Sequence, residues 1–248
     1  MCFDTDSEPP VPRIAGAALS HDDLTLTSED GTELAAFLAT PDEESPTGIV
    51  ILPDVRGLYR FYEELALGFA ERGHAAIAID YFGRTAGVAK RDDDFEYMPH
   101  VDQTTPATVM ADARTGAARL RDEGCTSIFT VGFCFGGRNS WLAAADVPGL
   151  NGAVGFYGRP TRMIDRVLAL SAPILALQAG DDQNITAEMN AEFDQALEDA
   201  GVEHELVTYE GAPHSFFDRK QTEFADASRD AWDRMLRFIS AHAHTPGA

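Results

Sequence analysis

The run VGFCFGGRNSW over residues 131–141 holds the sharpest chemical signal in the chain. Its centre, Gly132-Phe133-Cys134-Phe135-Gly136, has the form G-x-C-x-G, the cysteine counterpart of the G-x-S-x-G turn that lifts a nucleophile above the end of a strand. Small flanking residues let the chain turn back sharply. A thiol at such a turn also starts a helix, whose macrodipole favours the thiolate. The same residues fit a second description, a small buried cysteine with glycines that only let a helix pack closely on a strand. Cys125, in EGCTS, lacks that glycine frame and reads as structural.

A nucleophile of this kind needs a base, and the base needs an orienting carboxylate. QAGDDQNIT (178–186) follows an apolar run, which puts Asp181 and Asp182 at the carboxyl end of a strand, where sites in open α/β sheets lie. YEGAPHSFFD (209–218) follows the last strand-like run and offers His214 in a loop at the same end. His204 competes for the role of base, but it falls inside the strand run, where side chains are presented less freely.

A regular scaffold has to carry these residues. LTLTSEDGTELAAFLATP (24–41) reads as two strands around a Glu-Asp-Gly turn. Apolar runs at 48–53, 74–80, 126–132, 151–157, 172–178 and 202–209 then alternate with amphipathic stretches. Phe61, Leu65 and Phe69 share one helical face, Met189, Phe193 and Leu197 another, and Trp232, Leu236 and Ile239 a third; further helices are expected over 106–123 and after Gly137. The alternation predicts an α/β fold with right-handed crossovers, its mostly parallel sheet covered by helices on both faces. Residues 1–20, acidic and proline-bearing, are expected as a tail open to disorder, ahead of a single domain over 21–248. The stretch 81–105 is long and irregular, a functional loop or lid on one reading and a solvated excursion on the other.

Composition narrows the function. The chain has 41 acidic against 19 basic residues and a formal net charge of -22, which speaks against nucleic acid or an anionic membrane as partner, because both need a basic footprint. Cys2, Cys125 and Cys134 are too few and too irregular for a disulfide framework or a zinc cluster, so no metal is expected and a reducing cytoplasm is the expected compartment. The first twenty residues lack the pattern of a signal peptide, and no apolar run reaches the roughly 18 residues of a membrane span. GFCFGG has neither the G-K-[ST] ending of a phosphate loop nor Rossmann spacing, so no cofactor is expected either.

In the order nucleophile, acid, histidine, these motifs resemble the dienelactone hydrolase family, the cysteine branch of the α/β-hydrolases that includes carboxymethylenebutenolidase. GFCFGG around Cys134, Asp182 with Ile185 three residues on, and PHSF around His214 carry a resemblance that spans about residues 22–240. It implies an α/β-hydrolase fold, cleavage of a small-molecule ester or lactone through a cysteine acyl-enzyme, and Cys134, His214 and Asp182 as the triad. PDVRG (53–57) aligns with a loop where the family usually has a glutamate that contacts the resting thiol; Asp54 stands there, one methylene shorter. The resemblance further implies an oxyanion hole from the amides of Val55 and Phe135, and, through DYFGR (80–84), a substrate carboxylate held by Arg84. The family's second arginine, four residues beyond the histidine, is replaced by Asp218 with Arg219 next to it; Arg56, Arg60 and Arg159 lie in neighbouring loops and could stand in. Asp218 could instead pair with Arg84 and make it structural. Two alternatives differ in kind: a general carboxylesterase or thioesterase on neutral substrates, and a binding module without turnover.

Overall fold

Adjacent residues of the apolar runs enter two different cores. Ile49 and Ile51 pack with Phe61, Phe69 and Trp232, whereas Val50 and Leu52 pack with Val109, Trp141 and Leu142. That is the two-residue period of strands buried on both faces. The computed structural model, which describes residues 3, 4 and 6–243, joins eight strands in one sheet; Cys2 lies outside the described residues. They are β1 (Leu19–Thr27), β2 (Glu33–Pro41), β3 (Thr47–Leu52), β4 (Ala75–Ile79), β5 (Ser127–Phe133), β6 (Leu150–Phe156), β7 (Ile174–Asp181) and β8 (His204–Pro213). The sheet order is β1-β2-β4-β3-β5-β6-β7-β8. The expected hairpin is the antiparallel pair β1–β2, β2 runs antiparallel to β4, and every other pairing is parallel.

Helices cover both faces. α1 (Arg60–Ala70) and α7 (Ala225–His242) lie on one side, with Phe69 and Trp232 in contact at 5.1 Å between ring centroids. The short α2 (Gly83–Ala86) and α3 (Met98–Val101) fall inside the 81–105 stretch. α4 (Pro106–Asp122), α5 (Phe135–Asp146) and α6 (Ala187–Asp199) cover the other face. α4 starts where the sequence predicts it, because Thr105 and Thr108 cap each other reciprocally and Pro106 sits at the first helical position. Among the described residues, no helix is long and apolar enough to cross a membrane.

Two segments are bound more closely than their composition indicates. The N-terminal stretch expected as a tail lies against α1: Phe3 is buried and stacks on Phe61 at 4.0 Å, and Arg13 reaches Glu71 at 2.5 Å. The 81–105 stretch is stapled by Arg91, whose Nη2 donates to Asp80 Oδ2 at 2.7 Å. Asp80 is completely buried at the end of β4, and its carboxylate also accepts the backbone N–H groups of Leu58 (3.0 Å) and Phe82 (2.8 Å). One carboxylate therefore ties together the loop after β3, the end of β4 and the excursion that follows.

No loop separates β5 from α5, and two glycines make that junction possible. A Cβ on Gly132 would lie 1.9 Å from the Gly136 carbonyl oxygen, and one on Gly136 would lie 2.0 Å from the Leu52 carbonyl oxygen. Gly136→Ala must therefore push the helix off the end of β3. It is expected to cost about 1–3 kcal/mol by overpacking, whereas Ala at Gly73, where a Cβ meets nothing within 4 Å, costs only the left-handed backbone penalty of about 1–2 kcal/mol. Urea unfolding of both variants measures the two effects, and the Gly136 variant alone should also disturb the geometry of the site.

Candidate active site

Among the described residues, the non-glycine residues with positive φ are Cys134 (55°), Tyr157 (37°) and Ser215 (65°). All three surround the residues that the sequence nominates. Backbone strain of this kind, of order 1–3 kcal/mol per residue, persists only where the surroundings enforce it. Cys134 is the residue between β5 and α5, with φ 55° and ψ -109°, and its N–H donates to the Phe156 carbonyl at 3.0 Å. It is half-buried, whereas Cys125 is buried, and burial followed by the charge of Glu123 pushes the Cys125 thiol up to about 11.

His214 and Asp182 meet across the ends of β7 and β8. His214 Nδ1 lies 2.5 Å from Asp182 Oδ2, while Asp182 Oδ1 accepts the N–H groups of Asn184 (2.8 Å) and Ile185 (3.2 Å). Both carboxylate oxygens are thus engaged, and the acid loop presents Asp182 inward. Burial would raise its pKa, but the His214 bond and the two amides together outweigh burial and hold the carboxyl below its ordinary value. Asp181 points elsewhere, accepting from Gln183 at 3.3 Å. His204 is held by the Val202 carbonyl and by Asp194 at the edge strand β8. The ring of Tyr157, one residue past the carbonyl that receives the Cys134 amide, packs on the His214 ring at 4.9 Å. Cys134, His214 and Asp182 are in this way brought to one corner of the sheet.

The loop after β3 borders the same corner. Gly136, in the first turn of α5, touches the Leu52 and Pro53 carbonyls, which brings Val55 and Phe135 to the two sides of the β3–α5 contact. Asp54 is completely buried. Its Oδ1 accepts the Arg56 backbone N–H at 2.8 Å, and its Oδ2 accepts Arg56 Nη2 at 3.2 Å. The Arg56 guanidinium also stacks on Tyr59 at 4.2 Å. Asp54 therefore holds the shape of this loop through Arg56, a contact that its alignment with a thiol-contacting glutamate does not foreshadow.

Arg84, expected to hold a substrate carboxylate, is held by carboxylates of the protein itself. Its Nη1 and Nη2 grip Asp112 at 2.7 and 3.0 Å, Nε reaches Asp30 at 2.7 Å, and Nη2 also meets Ser28 at 3.2 Å. Gly83 backs onto Glu33 at the start of β2. β2 stands three places from β5 in the sheet, roughly 14 Å at the usual strand spacing. Arg84 is thus engaged by protein carboxylates over the sheet edge. Asp218, the other suggested partner, is buried and accepts the backbone N–H groups of Glu8 and Lys220. The missed partner had a signal: Asp112 interrupts the buried face of α4 formed by Val109, Ala113 and Gly116, and a carboxylate in such a face needs a cation.

A mostly parallel eight-stranded sheet with helices on both faces, an elbow after β5 and acid and histidine loops after β7 and β8 defines an α/β-hydrolase. Within that class, residues 34–243 match the dienelactone hydrolase family, and the chain belongs to it. A Yersinia pestis protein provisionally named a carboxymethylenebutenolidase is 30% identical over 239 residues, covering 90% of this chain and 89% of its own. A Saccharolobus solfataricus protein with the same provisional name is 28% identical over 246 residues, covering 85% and 95%. The crystal structure of a provisionally assigned dienelactone hydrolase from Klebsiella pneumoniae superposes with a TM-score of 0.79 at 26% identity, covering 90% of this chain and 99% of that one. The chain is accordingly an ester or lactone hydrolase of the carboxymethylenebutenolidase-like kind.

Two measurements follow from these contacts. Because the folded pKa of Asp182 lies below its unfolded value, its stabilisation is fully present above the ordinary carboxylate pKa, about 3.9, and is lost as pH falls through the lower folded value. Unfolding free energies of wild type and Asp182→Asn should therefore differ at pH 6, and the difference should shrink as pH falls below the ordinary carboxylate pKa and through the lower folded one. Arg84→Gln, which leaves Asp112 buried without its cation, is expected to cost about 3–5 kcal/mol in stability, read by denaturant titration.

Proposed function

We propose that Cys134 is the nucleophile of a cysteine hydrolase that opens esters or lactones through an acyl-enzyme. The observation that carries this reading is the strained thiol-bearing elbow, set at the same sheet corner as the short His214–Asp182 pair. The thiolate attacks the acyl carbon, and the amides of Val55 and Phe135 hold the charge that develops on oxygen. The C–O bond to the leaving group then breaks as His214 delivers a proton to the departing oxygen. In the second half His214 takes a proton from water, hydroxide attacks the thioester carbonyl, and collapse releases the acid and the free thiolate. Asp182 fixes the histidine with Nδ1 protonated and stabilises the imidazolium. Asp54 serves by keeping the Val55 loop in place through Arg56. Among the described residues, Cys125 and Cys134 are free thiols, which suits a reducing compartment and supports a cytoplasmic location.

The test is a pair of single substitutions assayed on a chromogenic ester. Cys134→Ala should lose about 10³-fold or more in kcat, while Cys125→Ala keeps its activity. Intact-mass spectrometry after rapid quenching should find an acyl adduct on wild type and none on Cys134→Ala. Comparable activity in the Cys134 variant would remove the reading. Asp182→Asn should lose far more activity than Asp181→Asn, and a reversed order would move the acid to Asp181.

A further inference from the structure

The loop that carries Val55 has its other amides engaged. The Asp54 N–H donates to the Tyr62 hydroxyl at 2.8 Å, Arg56 N–H to Asp54 Oδ1 at 2.8 Å, Gly57 N–H to the Asp54 carbonyl at 3.1 Å and Leu58 N–H to Asp80 Oδ1 at 3.0 Å. Among the described residues, the Val55 N–H is the one amide of 54–58 without such an acceptor. The peptide just before it is gripped at both ends. Its trans geometry points the Pro53 carbonyl and the Asp54 N–H in opposite directions. The carbonyl accepts the Tyr81 hydroxyl at 2.9 Å, and the N–H donates to the Tyr62 hydroxyl. Tyr62 stands on α1 in one core and Tyr81 follows β4 in the other, so the two hydroxyls reach this peptide from opposite faces of the sheet.

Tyr81 also meets the other donor. Its ring packs edge-on against Phe135 at 5.4 Å, and the carbonyl it holds is wedged against the first turn of α5, where a Cβ on Gly136 would lie 2.4 Å from the Pro53 oxygen. Both tyrosines are buried. Burial, followed by the charges of Asp54, Asp80 and Asp112, pushes the Tyr81 hydroxyl up, so it stays protonated and keeps donating across the neutral range. An oxyanion hole is effective because its donors are aimed before charge develops, and a turn of the 53–54 peptide would swing the next N–H away with it. We infer that Tyr62 and Tyr81 are positioning residues of the oxyanion hole, which orient the Val55 N–H by clamping the Pro53–Asp54 peptide from opposite faces of the sheet. The Asp54–Arg56 pair shapes the loop beyond Val55, and the tyrosines fix it from before. The effect on turnover rests on the cysteine-hydrolase reading; the clamp on the peptide does not.

The experiment compares Tyr62→Phe and Tyr81→Phe with wild type on 4-nitrophenyl butyrate. Each loss of a hydroxyl should lower kcat roughly tenfold to hundredfold, as expected when a donor is misaimed rather than removed, and leave KM within about twofold. Tyr209→Phe, which removes a buried tyrosine hydroxyl bonded to Asp230 instead, should leave both constants within about twofold. Propyl trifluoromethyl ketone probes the hole directly: the Cys134 thiolate adds to its carbonyl carbon and the carbonyl electron pair passes to oxygen, so its inhibition constant should rise in step with the fall in kcat. Amide hydrogen exchange followed by NMR reads the clamp without turnover. In wild type the Val55 amide should exchange faster than those of Asp54, Gly57 and Leu58, and Tyr62→Phe should speed exchange at Asp54 about tenfold; this pair of readings suffices should Tyr81→Phe fail to fold. Phenylalanine variants whose kcat and ketone affinity stay at the wild-type level, a loss confined to KM, or an equal loss in Tyr209→Phe overturns the positioning role. A wild-type Val55 amide as protected as its neighbours overturns it as well. Full activity in Cys134→Ala would instead overturn the cysteine reading, while the exchange pattern still decides the clamp.

Discussion

Cys134 occupies a backbone conformation that a residue with a side chain adopts only under compulsion, and the compulsion comes from close packing. The first turn of α5 is pressed so tightly on the ends of β3 and β5 that a methyl group on Gly132 or Gly136 would collide with a carbonyl oxygen. The Cys134 amide is meanwhile pinned to β6. Three strand ends thus set one residue. Behind the elbow, Phe133 stacks on Phe156 at 4.7 Å and Phe156 meets Phe217 at 4.8 Å, so the aromatic layer that supports the turn also supports the loop after His214. Among the described residues, the two other non-glycine residues with positive φ are Tyr157, whose ring packs on that of His214, and Ser215, the next residue along the chain. Strain and packing are shared across the corner rather than stored at one residue.

Charge is organised by the same economy of position. Three completely or nearly buried carboxylates, Asp54, Asp80 and Asp112, each hold an arginine: Arg56, Arg91 and Arg84. Such pairs add little net stability compared with an apolar replacement, because both ions have lost water, but they fix geometry where loops meet. Asp54 and Asp80 both act on the loop between β3 and α1, one from within it and one from β4. Asp112 holds the β1–β2 turn, through Arg84, to α4.

Much of this was legible in the sequence because the relevant signals are local. The G-x-C-x-G run specifies a turn within five residues, and alternation of apolar runs with helical periods specifies the parallel sheet. Asp182 could be separated from Asp181 only through the spacing to Ile185, and the structure gives that spacing a physical basis: the Ile185 amide closes a turn onto the Asp182 carboxylate. Long-range pairing was not legible. Arg84 looks like a free cation at the end of a strand because its partners lie 54 and 28 residues away along the chain. Phe3 and Val11 are isolated apolar residues in an acidic stretch, too sparse to show a period, yet both are buried. In the same way the run RDDDFE (91–96) reads as solvated, although Arg91 is buried and rests on Phe95 at 4.6 Å.

The Asp80–Arg91 pair shapes how this chain can vary through descent. Losing either partner alone strands a buried charge, a penalty of about 3–5 kcal/mol and a large part of the roughly 5–15 kcal/mol that holds a domain folded. Drift at these two positions is therefore blocked one step at a time and open only to paired change. Within the stretch they bracket, the exposed residues 88–90 are free to diversify as long as both anchors persist, whereas Tyr81 and Phe82 are buried and Arg84 holds Asp112. Related chains should accordingly inherit Asp80 and Arg91 as a unit, or lack both, while the exposed part of the sequence they bracket wanders.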